Sequence, residues 1–109
     1  LYVANSGGES GPIWMLYDLA EDGSLSNDRL LYDAQVAQDS MKGAPDGLVV
    51  RSDGILFATG PGGVWVFHPE GTHLGIVRTG QATSNCTLDD NEKYLYITAD
   101  MYLMRIRLR

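Results

Sequence analysis

The sequence predicts an all-β fold, namely a fragment of a β-propeller with about two and a half blades. A short strand motif recurs along the chain, at residues 1–4, 56–59 and 95–98, and its last two copies are nearly identical. A second apolar strand follows each copy across a short turn, and no window shows the periodicity of an amphipathic helix. Repeats of roughly 40 residues with four short strands each are typical of propeller blades.

The expected strands are short, rich in Val, Ile, Tyr and Trp, and bounded by Asp-Gly and Gly-Gly turns. In chain order they are residues 1–4, 13–17, 29–33, 47–50, 56–59, 64–67, 73–78, 86–88, 95–98 and 102–106. The strands at 47–50 and 86–88 each precede a copy of the motif. We therefore expect them to be the innermost strands of their blades, which line the central channel of a propeller.

The repeats divide the chain into three parts of one partial propeller domain, residues 1–109. Residues 1–40 are expected to form a blade without its inner strand, 41–80 a complete blade, and 81–109 an incomplete last blade. Because a closed propeller needs roughly 4 to 8 blades, we expect the sequence to be the C-terminal portion of a longer protein. Its missing upstream blades are then the partner that this chain needs, and the isolated chain is expected to be marginally stable.

Composition and charge exclude several classes of partner. The net charge of −6 argues against nucleic acid and against an anionic membrane surface. No apolar run reaches the roughly 18 residues of a membrane-spanning helix.

Cys86 is the only cysteine, and its place in a strand pattern predicts a buried thiol instead of a nucleophile. The compartment stays open between the bacterial cytoplasm and the periplasm or secretion.

Asp46 is the carboxylate that we expect to be functional. It lies in a Pro45-Asp46-Gly47 corner directly before an inner strand. The alternative interpretation is a turn carboxylate, because Asp in such turns accepts hydrogen bonds from nearby backbone N–H groups. Asp53-Gly54 shows the contrast, since it joins two strands of one blade, where a hairpin favours this dipeptide for structural reasons.

Asn85 is a second candidate, as a residue that lines the channel or contacts substrate. It precedes the motif copy at residues 95–98 by the same offset as Asp46 precedes the copy at 56–59. Its alternative interpretation is a polar cap at the start of a strand. A carboxylate and an amide oxygen at a channel mouth suit a hard divalent cation such as Ca²⁺ or Mg²⁺. Carboxylate sites also accept Mn²⁺ or Zn²⁺, so the ligand type leaves the metal open.

Beyond these patterns, the chain resembles a known family over essentially its whole length. The residues that show the likeness are 1–6, 14–18, 45–47, 56–67, 71, 74–75, 83–85 and 95–98. They are similar to the SMP-30/gluconolactonase/luciferin-regenerating-enzyme-like family, and above all to its bacterial gluconolactonase type. This resemblance implies a six-bladed β-propeller with one divalent cation at the channel.

The resemblance also implies which residues hold the cation. Asp46 matches the family's metal-binding aspartate. The family's other two ligands, a Glu and an Asn, would fall before residue 1, as would its substrate-binding residues. The implied cofactor is one divalent cation, with Ca²⁺ as the first expectation and Zn²⁺, Mn²⁺ or Mg²⁺ as alternatives.

The implied function is a metal-dependent lactonase that hydrolyses a sugar lactone of the gluconolactone type to its hydroxy acid. Asp46 would bind the metal and act as the catalytic general base, and a small-molecule lactone would be the substrate. We expect this activity of the full-length parent and not of the chain alone. Two alternatives stay open: another esterase-like hydrolase on the same propeller, and a non-catalytic binding propeller that holds no metal.

Overall fold

The computed structural model describes all residues, 1–109, and contains ten strands and one single-turn helix. They are β1 (Tyr2–Asn5), β2 (Ile13–Leu19), β3 (Leu25–Asp33), α1 (Gln35–Gln38), β4 (Leu48–Val50), β5 (Leu56–Gly60), β6 (Gly63–Phe67), β7 (His73–Arg78), β8 (Thr83–Leu88), β9 (Tyr94–Ala99) and β10 (Tyr102–Arg107). Three antiparallel sheets result, β1-β2-β3, β4-β5-β6-β7 and β10-β9-β8. The predicted all-β propeller fold is confirmed.

The middle sheet is covered by the other two sheets on its two faces. All five residues of β5 are buried. Leu56 and Ala58 belong to a core cluster shared with the first sheet, whereas Phe57 belongs to a cluster shared with the third sheet. Because successive side chains of a strand point to opposite faces, a strand buried on both faces reads as a continuous apolar run. This burial explains why the motif at residues 56–59 is so apolar.

The two tryptophans occupy equivalent positions in consecutive blades and pack against each other. The ring centroids of Trp14 and Trp65 are 5.2 Å apart, and Trp14 also contacts Phe67 edge-on at 5.5 Å. A Cβ on Gly60 would come within 2.7 Å of the Trp14 ring, so this position needs a glycine for the close approach. The aromatic residues of these strands therefore serve the contact between the first and second sheets.

Two strands begin earlier than the sequence predicts. β3 starts at Leu25 instead of residue 29, and β8 starts at Thr83 instead of residue 86. The extra residues of β3 are exposed on an outer strand, and the extra residues of β8 include two exposed polar side chains on an inner strand. Neither segment has the apolar alternation that identifies a strand.

The helix α1 is also absent from the sequence prediction. It is a single turn, Gln35–Gln38, and a turn of this length is too short to show helical periodicity. The Asp33 carboxylate accepts a hydrogen bond from the Gln35 N–H at 2.9 Å and so holds the first turn. The helix is too short to cross a membrane. It connects β3 to the segment that contains Asp46.

Candidate active site

Asp46 lies in the segment between α1 and β4, and its side chain is exposed. Its carboxylate takes part in no hydrogen bond and in no ion pair with the protein. Two other turn carboxylates differ from Asp46, since Asp53 accepts a hydrogen bond from the Ile55 N–H and Asp89 accepts two from backbone N–H groups, whereas the turn residue Asp90 is unpaired like Asp46. The hydrogen bonds that a structural turn aspartate would make are thus absent at Asp46.

The backbone around Asp46, by contrast, is held by several hydrogen bonds. The Asp46 N–H donates to the Thr59 carbonyl at 3.1 Å. The Gly47 carbonyl accepts two hydrogen bonds from Thr59, from its N–H at 2.9 Å and from its Oγ1 at 2.8 Å. The Gly47 N–H donates to the Ser84 carbonyl of the third sheet at 2.9 Å. Asp46 therefore combines an exposed, unpaired carboxylate with a backbone that is held by hydrogen bonds.

The first sheet also contacts this segment. Ser6, directly after β1, donates from its Oγ to the Pro45 carbonyl at 2.8 Å. Pro45 itself is buried. Neither Ser6 nor Thr59 was predicted from the sequence as a residue of the site. Thr59 could have been noticed as the polar residue inside the apolar motif, whereas nothing local marks Ser6.

Gly47 and Asn85 lie against each other where the inner strands β4 and β8 meet. A Cβ on Gly47 would overlap the Asn85 Oδ1 and would come within 2.9 Å of the Asn85 Cα. Asn85 is exposed, and a shift in the β8–β9 pairing falls between Thr83 and Asn85. Its Oδ1 accepts a hydrogen bond from the Cys86 N–H at 2.9 Å. The glycine of the Pro-Asp-Gly corner is thus required by close packing.

Asp46 and Asn85 do not share a cavity. Asp46 lines one of about 290 Å³, together with Ser84 and Asp100. Asn85 lines another of about 130 Å³, with Tyr96 and Leu103 among its other lining residues. The two predicted residues are neighbours through Gly47, but they face different spaces. Asp100, which lies in the turn between β9 and β10, is a second carboxylate beside Asp46 that the sequence analysis did not single out.

The oxygen donors at this cavity are of the kind that hard cations prefer, because Ca²⁺ and Mg²⁺ are bound by carboxylate, carbonyl and water oxygens. Asp46 fits as one ligand, since its oxygens are exposed and unpaired. The chain contains no group of three or more His, Cys, Asp or Glu residues that could hold a metal ion. This chain by itself therefore presents no complete set of such side-chain ligands.

Cys86, next to Asn85, is buried in β8, and its Sγ contacts the Phe57 carbonyl at 3.5 Å. Burial raises the pKa of the Cys86 thiol to about 12 from 9.0. The thiolate population in the folded protein at neutral pH is thus about 10³-fold lower than that of a free thiol. Cys86 is consequently no candidate for a nucleophile.

Cys86 is expected to resist alkylation until the protein unfolds. At about pH 8, pulse labelling with iodoacetamide should modify Cys86 at least about 100-fold more slowly in the folded protein than in guanidinium chloride. Because the pKa is higher in the folded state, the thiol's contribution to stability is complete below pH 9.0 and is lost as the pH rises towards about 12. Peptide mass spectrometry measures the labelling, and equal rates in both states would contradict the burial of this side chain.

The chain is similar to known proteins over nearly its whole length. The family model of the SMP-30/Gluconolactonase/LRE-like region matches residues 1–100. A gluconolactonase of Zymomonas mobilis is 34% identical over 113 residues, which cover 100% of this chain and 32% of that protein. The structure of a gluconolactonase from Xanthomonas campestris superposes with a TM-score of 0.80 at 27% identity, over 99% of this chain and 34% of the other.

A luciferin-regenerating enzyme shares the fold, with a TM-score of 0.73 at 21% identity over 90% of this chain and 33% of the other. The chain thus spans about one third of the length of each of these relatives. The family model covers nearly the whole chain, and the identity to the Zymomonas protein extends over all of it. The chain therefore belongs to the SMP-30/gluconolactonase/LRE-like family.

Proposed function

We propose that this chain is part of a metal-dependent lactonase that hydrolyses a sugar lactone of the gluconolactone type to its hydroxy acid. The observation that supports the proposal is the unpaired Asp46 carboxylate, which lines a cavity of about 290 Å³ on a backbone fixed by hydrogen bonds. Relatives with 34% and 27% identity are named gluconolactonases. A small-molecule lactone is accordingly the substrate class that we assign to the complete protein.

We assign two roles to Asp46. One carboxylate oxygen binds a divalent cation, for which Ca²⁺ is the first candidate and Zn²⁺, Mn²⁺ or Mg²⁺ are alternatives. When bound, such a cation supplies electrostatic stabilisation of the negative charge that develops on the carbonyl oxygen of an ester under attack. The other oxygen of Asp46 is free to accept a proton from the attacking water.

Asp46 alone can carry the proton through the proposed hydrolysis. The water oxygen forms a bond to the lactone carbonyl carbon, and its proton passes to the Asp46 carboxylate. The ring C–O bond then breaks, and the proton is returned from Asp46 to the departing alkoxide. The carboxylate is regenerated, and the product is the open-chain hydroxy acid. The hydrogen-bonded backbone of Asp46 fixes the point from which its side chain reaches the substrate in both transfers.

We propose that this chemistry needs the complete protein. The chain spans about a third of its relatives and holds no group of three or more metal-binding side chains. Large apolar side chains are exposed on its last sheet, with Leu103 at 75% exposure, as expected for a face that another blade covers. We therefore expect the chain to lack activity by itself and to gain it when the remaining blades are joined to it.

The experiment is lactone hydrolysis by the full-length parent protein, followed by pH-stat on glucono-1,5-lactone. Activity is measured before EDTA, after EDTA, and after addition of Ca²⁺, Mn²⁺, Zn²⁺ or Mg²⁺ in turn. Loss with the chelator and recovery with one cation would support the proposal and identify the preferred metal. Turnover that is indifferent to EDTA would reject the role of the metal. Turnover of aryl esters without turnover of the lactone would reject the substrate class.

A further inference from the structure

We propose that Ser6 is a positioning residue that fixes, from a neighbouring blade, the direction in which the Asp46 side chain leaves the backbone. This inference rests on the proposed function, because it concerns how the site keeps its carboxylate in place. Ser6 lies in the loop directly after β1 of the first sheet and is 39 residues away from its partner in the chain. It contacts no reacting atom, so its effect must pass through the backbone of the Pro45-Asp46-Gly47 corner.

The peptide unit that joins Pro45 to Asp46 is held by hydrogen bonds at both of its polar groups. Its carbonyl accepts the hydrogen bond from the Ser6 Oγ at 2.8 Å, and its N–H donates to the Thr59 carbonyl at 3.1 Å. The two polar groups of this planar unit are therefore held from two different sheets. Rotation of the plane would break both hydrogen bonds and would redirect the Cα–Cβ bond of Asp46.

Ser6 is itself held in position. The loop from residue 6 to 12 is closed by the Asn5 side chain, whose Nδ2 donates to the Gly7 carbonyl at 2.8 Å and to the Gly11 carbonyl at 2.7 Å. The hydroxyl of Ser6 thus lies in a loop, directly after β1, that two hydrogen bonds close. The link from the first sheet to Asp46 runs from Asn5 through this loop and through Ser6 to the carbonyl of Pro45.

Ser6 and Thr59 do not duplicate each other. Thr59 is fully buried, and it also holds the Gly47 carbonyl with two hydrogen bonds, so its replacement would disturb the core and the corner together. Ser6 is exposed and makes one side-chain hydrogen bond, to Pro45. Its removal should therefore loosen the Asp46 peptide without unfolding the sheet. Replacing Ser6 can therefore test the positioning of the Asp46 peptide separately from the stability of the fold.

The test compares three variants of the full-length parent protein. Ser6→Ala removes the hydroxyl, and Ser6→Thr retains it. Ser10→Ala is the matched control, because Ser10 is an exposed serine of the same loop whose side chain makes no hydrogen bond. Two readouts are taken: hydrogen–deuterium exchange of the peptide that contains residues 45–47, and kcat and KM for lactone hydrolysis. The melting temperature is recorded for each variant.

Ser6→Ala is expected to speed amide exchange in the 45–47 peptide and to lower kcat, each by about tenfold, with little change in KM or melting temperature. Ser6→Thr should restore both values to within about twofold, and Ser10→Ala should match the wild type. Equal exchange in Ser6→Ala and Ser10→Ala would overturn the positioning role, whatever the activity. Faster exchange with unchanged kcat would overturn its catalytic relevance. An inactive wild type would reject the proposed lactonase, while the exchange data would still decide whether Ser6 holds this peptide.

Discussion

Replacing Asp46 with Asn in the full-length parent protein is expected to lower kcat for lactone hydrolysis by roughly 10³-fold. The amide has nearly the shape of the carboxylate, but it carries no charge for a cation and accepts no proton from water at neutral pH. The carboxylate is exposed and has no hydrogen-bond partner in the protein, so its neutralisation breaks no contact. The free energy of unfolding should consequently change by less than about 0.5 kcal/mol.

Asp90→Asn is the matched control for this experiment. Asp90 is an exposed turn residue between β8 and β9, and its side chain makes no hydrogen bond or ion pair. We expect this variant to keep the kcat and the melting temperature of the wild type. Steady-state kinetics and a cation titration by calorimetry should be measured on both variants. If Asp46→Asn kept full turnover and bound the cation as tightly as the wild type, both roles assigned to Asp46 would be wrong.

Gly47→Ala is expected to have the second largest effect. The new methyl group would overlap the Asn85 Oδ1 and would approach the Asn85 Cα to 2.9 Å, so β4 and β8 would have to separate. Separation would also strain the hydrogen bond from the Gly47 N–H to Ser84. Overpacking of this kind should destabilise the protein by about 1–3 kcal/mol. The displaced Asp46 should lower kcat by roughly 10²-fold.

Gly7→Ala serves as the control for Gly47→Ala, because a Cβ at Gly7 would meet no atom within 4 Å. Urea unfolding and kcat should be measured for both variants and for Gly47→Ala combined with Asn85→Ala. The double variant removes the Oδ1 overlap but retains the approach to the Cα, so it should recover part of the lost stability. A Gly47→Ala variant as stable and as active as Gly7→Ala would contradict the packing described at this corner.

The propeller fold could be predicted from the sequence because the same apolar strand motif recurs from blade to blade. β5 and β6 are covered on both faces and so appear as apolar runs that recur in the other blades. The first residues of β3 and β8 were not predicted, because those of β3 are exposed and mostly polar and those of β8 are polar, so neither segment has that apolar signal. Repetition reveals the buried strands, and the solvent-exposed strand segments are found only in the structure.

The candidate site could be predicted only in part. Asp46 was singled out because the Pro-Asp-Gly corner marks the start of an inner strand in the sequence itself, and its role in the site stays a prediction. The contact of Ser6 with Pro45 joins residues 39 positions apart, and no local pattern encodes such a contact. The repeat spacing predicts that Asn85 lies at the same channel mouth as Asp46. In the structure, Asn85 lines a separate cavity, and the pairing of β8 with β9 shifts between Thr83 and Asn85. Contacts between blades thus determine the details of the site that the repeat does not specify.

Our proposal assigns to Asp46 the binding of a divalent cation in the complete protein. The most direct measurement is a crystal structure of the full-length parent protein with the cation that restores its activity, located by anomalous scattering. The account predicts an anomalous peak at a coordination distance of about 2.0–2.6 Å from an Asp46 carboxylate oxygen. A fully occupied cation elsewhere in the protein, with the Asp46 carboxylate outside its coordination shell, would contradict the claim.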